Sequence, residues 1–423
     1  MPHQVAITIH APIRAGSAAD LRELLAELGR KGAHDGAIPF GELPGVHFAR
    51  FFVLDQVGDL DGRPIPASLV YLSDVDAPLD RHLRQLAGKA DVLDQVFGYC
   101  EDYPVAAPAL GARVAWLRRH VVSSAVTYVN TVGRGLDQIR QEARLREAIQ
   151  DFLDEPGRDW AGRSPTEVRR EVRRFVASRP DLARAMSPPR RPGIVFRVRE
   201  TAHKIALPLV VLVLSPALLV ALPAWAVLLR WHERRDEEET KRPDPMLVAE
   251  LTSYEDHVVQ NAFTAVGFVK AGLFRRLTMR IVLAGVSYAV RHFYNAGSLA
   301  GVRTIHFARW VPIDDGRRLF FASNYDGSQE SYMSDFIDRL AWGLNAVFSN
   351  GHGYPRTRWL VKGGAENEQA FKNYLRNHQL PAPVWYSAYD NLTADNVAAN
   401  ARIRAGLHAD LTPAQTADWL ALL

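Results

Sequence analysis

Residues 46–55 read V-H-F-A-R-F-F-V-L-D, and residues 305–314 read I-H-F-A-R-W-V-P-I-D. The offset is 259 residues, and the correspondence extends outward from these strings. L-V-Y-L-S-D-V-D at 69–76 answers to L-F-F-A-S-N-Y-D at 319–326. Thr127 through Ala148 answers to Trp385 through Gly406 at an offset of 258, where Tyr128 meets Tyr386 and A-R-L-R meets A-R-I-R. Three collinear blocks at near-constant offset imply a duplication whose period is a whole domain rather than a solenoid repeat.

The periodicity of each copy predicts its elements. In the first, V-A-I-T-I-H (5–10) alternates as a strand does, and A-D-L-R-E-L-L-A-E-L (19–28) repeats its apolar residues at helical spacing. Strands over 46–54 and 68–73, helices near 78–87 and 90–99, a strand at 124–130 and a helix over 136–152 complete the order βαββαβ plus a terminal helix. The second copy predicts strands at 257–268, 303–313, 317–323 and 383–389. Its helices fall at 272–292, 331–345, 366–378 and 393–406. This is a ferredoxin-like order, and two such sheets can bury their bare faces against each other. The expected fold is therefore α+β, with two ferredoxin-like repeats packed sheet to sheet. The expected divisions are 1–150 for the first repeat, 151–250 for a basic linker and membrane-anchoring hairpin, and 251–423 for the second repeat.

The insert between the copies is apolar. Residues 205–229 carry no charge in 25 positions, enough helix to cross a hydrocarbon core of ~30 Å. A simple span would put the two copies on opposite sides of the membrane, where they could not pack together. Pro208, Pro216 and Pro223 suggest instead a hairpin bent at Ser215-Pro216, loosely similar to the proline knot of oleosins and caleosins. Arg190, Arg191, Arg197, Arg199 and Lys204 precede the segment, and Arg230, Arg234 and Arg235 follow it. Cations at both ends favour one cytoplasmic face and a monotopic or re-entrant anchor. The run 233–245 reads as a solvated linker. The helix near 272–292, F-R-R-L-T-M-R-I-V-L-A-G-V-S-Y-A-V-R-H over 274–292, is apolar with basic residues on one side and able to lie on the bilayer surface.

Charge excludes some functions. The net charge is +4, and ten arginines against three acids crowd residues 164–199, which suits an acidic membrane surface. Aromatic interleaving is absent there, so nucleic acid is not expected. The single cysteine, Cys100, rules out an intrachain disulfide or a cysteine-based metal site. The N-terminal sequence lacks the pattern of a secretory signal.

His47 with Arg50, and His306 with Arg309, recur at equivalent positions. On a regular strand, residues three apart face opposite ways, so each His and its Arg are expected in different environments. The densest polar cluster is S-N-Y-D-G-S-Q-E-S-Y (323–332), with Ser328 a candidate helix cap. The corresponding stretch of the first copy, S-D-V-D-A-P-L-D, lacks the glycine turn, which suggests one active and one degenerate half.

The element order resembles the dimeric α+β barrel superfamily, formed here within one chain as an intrachain barrel. Within that superfamily, dye-decolorising peroxidases carry G-x-x-D-G. This chain has Ser323-Asn324-Tyr325-Asp326-Gly327, with Ser in place of the first Gly. The resemblance implies a haem cofactor, with Asp326 as distal acid, Arg309 and Asn324 beside it, and His306 as a candidate iron ligand. His352 and His378 are further histidines to consider. The resulting expectation is a membrane-associated oxidoreductase, peroxidase- or oxygenase-like, acting on a lipid or other apolar small molecule. The alternative is a non-catalytic lipid-binding module, or a partner subunit of a membrane enzyme. Membrane lipid is the expected partner in either case, and a homo-oligomer stays open.

Overall fold

A computed structural model of the chain describes residues 4–31, 38–76, 78–105, 109–187, 193–239, 241–295, 297–389 and 391–423. Ala77, Arg190 and Arg191, noted above, lie outside the described residues. The principal strands are β1 (Gln4–Pro12), β2 (Val46–Leu54), β3 (Ser68–Asp76), β4 (Val126–Val129), β5 (Gln260–Phe268), β6 (Ile305–Ile313), β7 (Arg318–Asp326) and β8 (Val384–Ser387). The first half carries α1 (Ala18–Arg30), α2 (Leu79–Ala87), α3 (Ala90–Phe97), α4 (Leu110–Arg119), α5 (Leu136–Leu153) and α6 (Pro165–Ser178). After these come α7 (Ile194–Glu233), α8 (Pro245–Thr252), α9 (Leu273–His292), α10 (Gln329–Phe348), α11 (Glu368–His378), α12 (Ala394–His408) and α13 (Pro413–Leu420).

The strands form two antiparallel four-stranded sheets, ordered β1-β3-β2-β8 and β5-β7-β6-β4. Each sheet takes three strands from one half of the chain and its fourth from the other. β8 pairs with β2 from Val384↔Phe51 to Ser387↔Phe48, and β4 pairs with β6 from Val126↔Trp310 to Val129↔Phe307. The matched strings 46–54 and 305–313 thus occupy equivalent places. A closed barrel does not form, which corrects the barrel expectation. Segments just before β4 and β8 touch β1 and β5 only through the single bridges Ile9↔Val121 and Ala265↔Gln379. Along their length the two short strands pair with the exchanged partners, β8 with β2 and β4 with β6.

Side-chain alternation sorts the two faces of each sheet. Phe52, Leu54, Val70 and Leu72 of the first sheet meet Val311, Ile313, Phe320 and Ala322 of the second, all buried. On the opposite faces, Phe51 and Tyr71 pack with Phe97, and Trp310 and Phe321 with the core beneath α9 and α10. The basic stretch expected to be a linker holds α6, begun by a capping box at Ser164 and Glu167. Its Val172 and Val176 join Leu145 and Ile149 of α5, Ile403 and Leu407 of α12, and Trp419 of α13 in a third core. Gly406 is required there, because a Cβ would fall 2.0 Å from the Trp419 ring.

α7 is one continuous 40-residue helix, which corrects the bent hairpin. At ~1.5 Å per residue it is about 60 Å long. Each proline frees the carbonyl four residues earlier, and two of these carbonyls find side-chain donors. Tyr288 Oη donates to Lys204 O (2.6 Å), opposite Pro208, and Ser215 Oγ donates to Leu212 O (2.7 Å), opposite Pro216. With those acceptors satisfied, the helix continues through its prolines.

Both ends of α7 are fastened to the same body. At the N-terminal end, Arg291 of α9 pairs with Glu200 (2.5 Å), and His203 meets His292 (2.8 Å). Towards the C-terminal end, Trp225 Nε1 donates to Thr278 Oγ1 (3.2 Å), and His232 stacks on Phe274. α7 therefore runs antiparallel to α9. Buried Glu233 accepts from Trp359 N (3.0 Å) and Leu360 N (2.8 Å). The acidic run beyond it is docked rather than solvated, since Asp236 accepts from Lys270 (2.7 Å) and Arg275 (2.5 Å).

Candidate functional site: a polar seam between the sheets

Both sheets bend at the same place. The β2–β3 register shifts between Val46 and Phe48, and the β6–β7 register shifts between Ile305 and Phe307. A bulge re-aims the side chain it carries. His47 and His306 therefore turn toward the inter-sheet face that Arg50 and Arg309 already occupy. Regular alternation had separated them; the bulge brings them into one seam.

Two arginines cross this seam in opposite directions. Arg50 donates to Phe263 O (2.9 Å), Thr264 Oγ1 (2.8 Å), Ser323 O (2.8 Å) and Asn324 Oδ1 (2.5 Å). Arg309 donates to Ile7 O (2.6 Å), Ser73 O (3.1 Å) and Asp74 Oδ1. Asn324 Nδ2 then donates to Asp74 Oδ2 (3.0 Å), linking the halves. Asp74 and Asn324 hold equivalent positions in the two sheets, opposite Phe48 and Phe307. Two aspartates there would set carboxylate against carboxylate; an Asp–Asn pair replaces that repulsion with a hydrogen bond. Burial lowers the Arg50 pKa to about 9, and the neighbouring Arg309 pushes the same way while Asp74 opposes. Burial also raises the Asp74 carboxyl above its ordinary range, against the pull of Arg309 and Arg50.

The histidines flank this centre. His306 Nε2 donates to Asp326 Oδ1 (2.6 Å), whose Oδ2 accepts from Ala394 N (2.7 Å) at the start of α12. His47 Nε2 donates to Asp76 Oδ1 (3.0 Å), whose Oδ2 accepts from Leu136 N (2.9 Å) at the start of α5. A carboxylate is favourable at a helix N-terminus. The first sheet therefore has the same carboxylate arrangement as the second, and the expected active-versus-degenerate contrast is not seen in these contacts. Asymmetry comes instead from Tyr389, whose hydroxyl donates to His47 Nδ1 and whose ring stacks on His306 at 5.2 Å. Burial raises the Tyr389 hydroxyl pKa well above its ordinary value, and Asp76 and Asp74 reinforce the shift, so it remains a donor.

Of the expected site residues, Arg309, Asn324, His306 and Asp326 come together in the seam, and Arg309 pairs with Asp74 rather than Asp326. His352 does not join them. It is exposed, and its backbone N–H bonds Phe268 O at the far end of β5. Asp326 pairs at Gln260 on that strand, eight residues or roughly 26 Å away. His378 lies at that far end too, beside Gly267. Arg50, Asp74, Tyr389 and Trp385, which donates to Asn324 Oδ1 (3.2 Å), were not expected as partners. The Asp-for-Asn exchange at one aligned position was the signal that could have found Asp74.

The seam is closed. His47 and His306 are 0% and 4% exposed, and the principal cavities are lined by other residues. These residues do not fit a haem: His306 Nε2 is committed to Asp326, and Tyr389 and Phe48 (5.4 Å) crowd the ring. Among the described residues, no group of three or more His, Cys, Asp or Glu has a metal-holding arrangement. The seam's geometry suits locking two sheets in register. No family model matches the chain, and comparison with curated proteins and with solved structures gave no match.

Proposed function

We propose that this chain is a monotopic membrane protein, a lipid-binding module whose two halves are copies of one ferredoxin-like unit standing on one bilayer face. The observation that carries the reading is α7. Its most apolar 18-residue window has a mean hydropathy of 2.7 and is wholly unburied, yet both flanks are fastened to α9. Leu212, Val213, Leu219 and Val220 are each at least half exposed within it. Fourteen large apolar side chains from Ile205 to Leu228 are exposed by more than a third, ten of them by half or more. At on the order of 1 kcal/mol each for a partly exposed side chain, transfer to hydrocarbon is worth on the order of 10 kcal/mol. α9 adds Leu273, Leu277 and Ile281 at one-turn spacing, each more than half exposed. Because β4 and β8 are exchanged between the halves, the halves cannot stand on opposite sides of a membrane. Cations flanking α7 favour the cytoplasmic face.

Vesicle flotation tests the reading. The full chain is expected to float with phosphatidylglycerol vesicles, and the variant Leu212→Asp/Leu219→Asp to remain at the bottom while keeping its circular dichroism spectrum. Equal flotation of parent and variant would refute it.

A further inference from the structure

We infer that the outward face of α9 binds the phosphate groups of anionic phospholipids at the bilayer surface, an assignment that rests on the membrane reading above and names the headgroup. α9 contains four arginines and no acidic residue. Two of the arginines are held within the protein. Arg275 is buried and pairs with Asp236 just beyond α7, and Arg291 pairs with Glu200 of α7, both at 2.5 Å. The other two, Arg276 and Arg280, have no carboxylate partner among the described residues. Exposed arginines elsewhere do have one: Arg118 pairs with Asp80 (2.7 Å) and Arg158 with Glu155 (2.6 Å).

Steps of three and four residues keep to one face of a helix. Arg276 and Arg280 therefore share a face with Leu273, Leu277 and Ile281. Leu273 is 85% exposed, and Leu277 and Ile281 are each 59% exposed. Arg280 is exposed and Arg276 half-buried. Nothing covers the face further along, where Ala284 and Gly285 are exposed and a Cβ on Gly285 would meet no atom within 4 Å. The same turns touch α7 on their flank, through Phe274 with His232 and Thr278 with Trp225. The face and the exposed apolar helix thus belong to one surface. The interleaving of guanidinium and aliphatic groups selects the partner. An arginine without an internal counter-charge is matched by an external anion, but aliphatic side chains beside it are not matched by water. An anionic bilayer meets both needs. Its phosphate oxygens accept from the guanidinium, while the leucines, the isoleucine and the arginine stems enter the acyl boundary. Nucleic acid supplies phosphates without an apolar layer, and none of these five residues is an aromatic on which a base could stack.

The test is partition of the full chain onto vesicles of phosphatidylcholine alone and of phosphatidylcholine mixed with phosphatidylglycerol. The parent is expected to bind both and to prefer the mixed vesicles. A cation near an anionic surface strengthens binding roughly five-fold, so Arg276→Gln/Arg280→Gln should bind the mixed vesicles about 25-fold more weakly. Its binding to phosphatidylcholine alone should match the parent, which also shows that the variant is folded and that α7 still inserts. Arg118→Gln/Arg158→Gln removes the same charge from ion-paired positions and should leave both affinities close to the parent's. Equal binding of the parent to both vesicles, or undiminished binding of the α9 variant to the mixed vesicles, would overturn the headgroup assignment and leave the membrane reading standing. An equal loss in the ion-paired control, or a loss by the α9 variant on both vesicles alike, would overturn it too. A parent that binds neither vesicle would overturn the membrane reading itself.

Discussion

Replacing Asp74 with Asn removes the one carboxylate that bonds directly into the arginine pair at the centre of the seam. Arg309 keeps its bonds to Ile7 O and Ser73 O but loses its ion pair, and Arg50 loses the nearest compensating charge. Breaking one side of a buried pair costs about 3–5 kcal/mol, and the retained carbonyl bonds argue for the lower end. Asn324→Asp alone converts the 3.0 Å amide–carboxylate bond into a carboxylate–carboxylate contact, so one of the two must hold a proton, at about 1–3 kcal/mol. The double exchange Asp74→Asn/Asn324→Asp restores one acid, one amide and the bond between them. The carboxylate then faces Arg50, which already donates to that position at 2.5 Å. Independent sites would add to roughly 4–8 kcal/mol; the seam predicts about 1 kcal/mol for the exchange, a coupling of several kcal/mol. Urea unfolding of the full chain in mild detergent, followed by tryptophan emission, measures all three. Additive losses, or an Asp74→Asn variant within about 1 kcal/mol of the parent, would refute the reasoning.

Asp76→Asn and Asp326→Asn should destabilise by similar amounts, about 1–3 kcal/mol, because each carboxylate joins a histidine to a helix N-terminus; melting curves that spare one and not the other would contradict this. Burial drives the His82 pKa down from 6.5 to about 4, so its neutral form favours the fold fully above pH 6.5, and that contribution is lost as pH falls toward 4. About 3 kcal/mol is at stake across this window, and His82→Phe should flatten the slope of stability against pH there; an unchanged slope would count against the assignment. Tyr288→Phe should leave Lys204 O without its donor and raise amide exchange around residues 205–210, with a stability loss of about 1 kcal/mol. Unaltered exchange there would mean that the hydroxyl does not hold the helix through Pro208.

Much of the fold could be read from local pattern. The strands fall where apolar alternation placed them, and the repeated H-F-A-R strings mark equivalent central strands of the two sheets. What local pattern could not supply was the partner of each fourth strand. Thr127-Tyr128 and Trp385-Tyr386 read as strands, but the edge they join depends on three-dimensional proximity. The continuity of α7 was hidden for a related reason. Its prolines argue for a break, and the donors that relieve two of them are Ser215 within the helix and Tyr288, 84 residues from the carbonyl it satisfies. The bulges at His47 and His306 were likewise silent, since nothing in V-H-F-A-R distinguishes a bulged strand from a regular one. Asp326, His306, Arg309 and Asn324 were recognised as a group, but their enclosure was not legible, because a polar cluster looks the same in sequence whether it opens to a cleft or closes against a second sheet.

The most direct test of the central claim is the sidedness of the two flanks of α7. Arg199→Cys and Glu237→Cys place single thiols at exposed positions on either side of the apolar stretch, and the native Cys100 is buried at 2% exposure. Each variant, reconstituted in one orientation, is treated with a membrane-impermeant maleimide before and after detergent. If both halves stand on one bilayer face, the two positions label together, both accessible or both protected until detergent is added. One accessible and one protected position would show that α7 crosses the membrane, and would contradict the account.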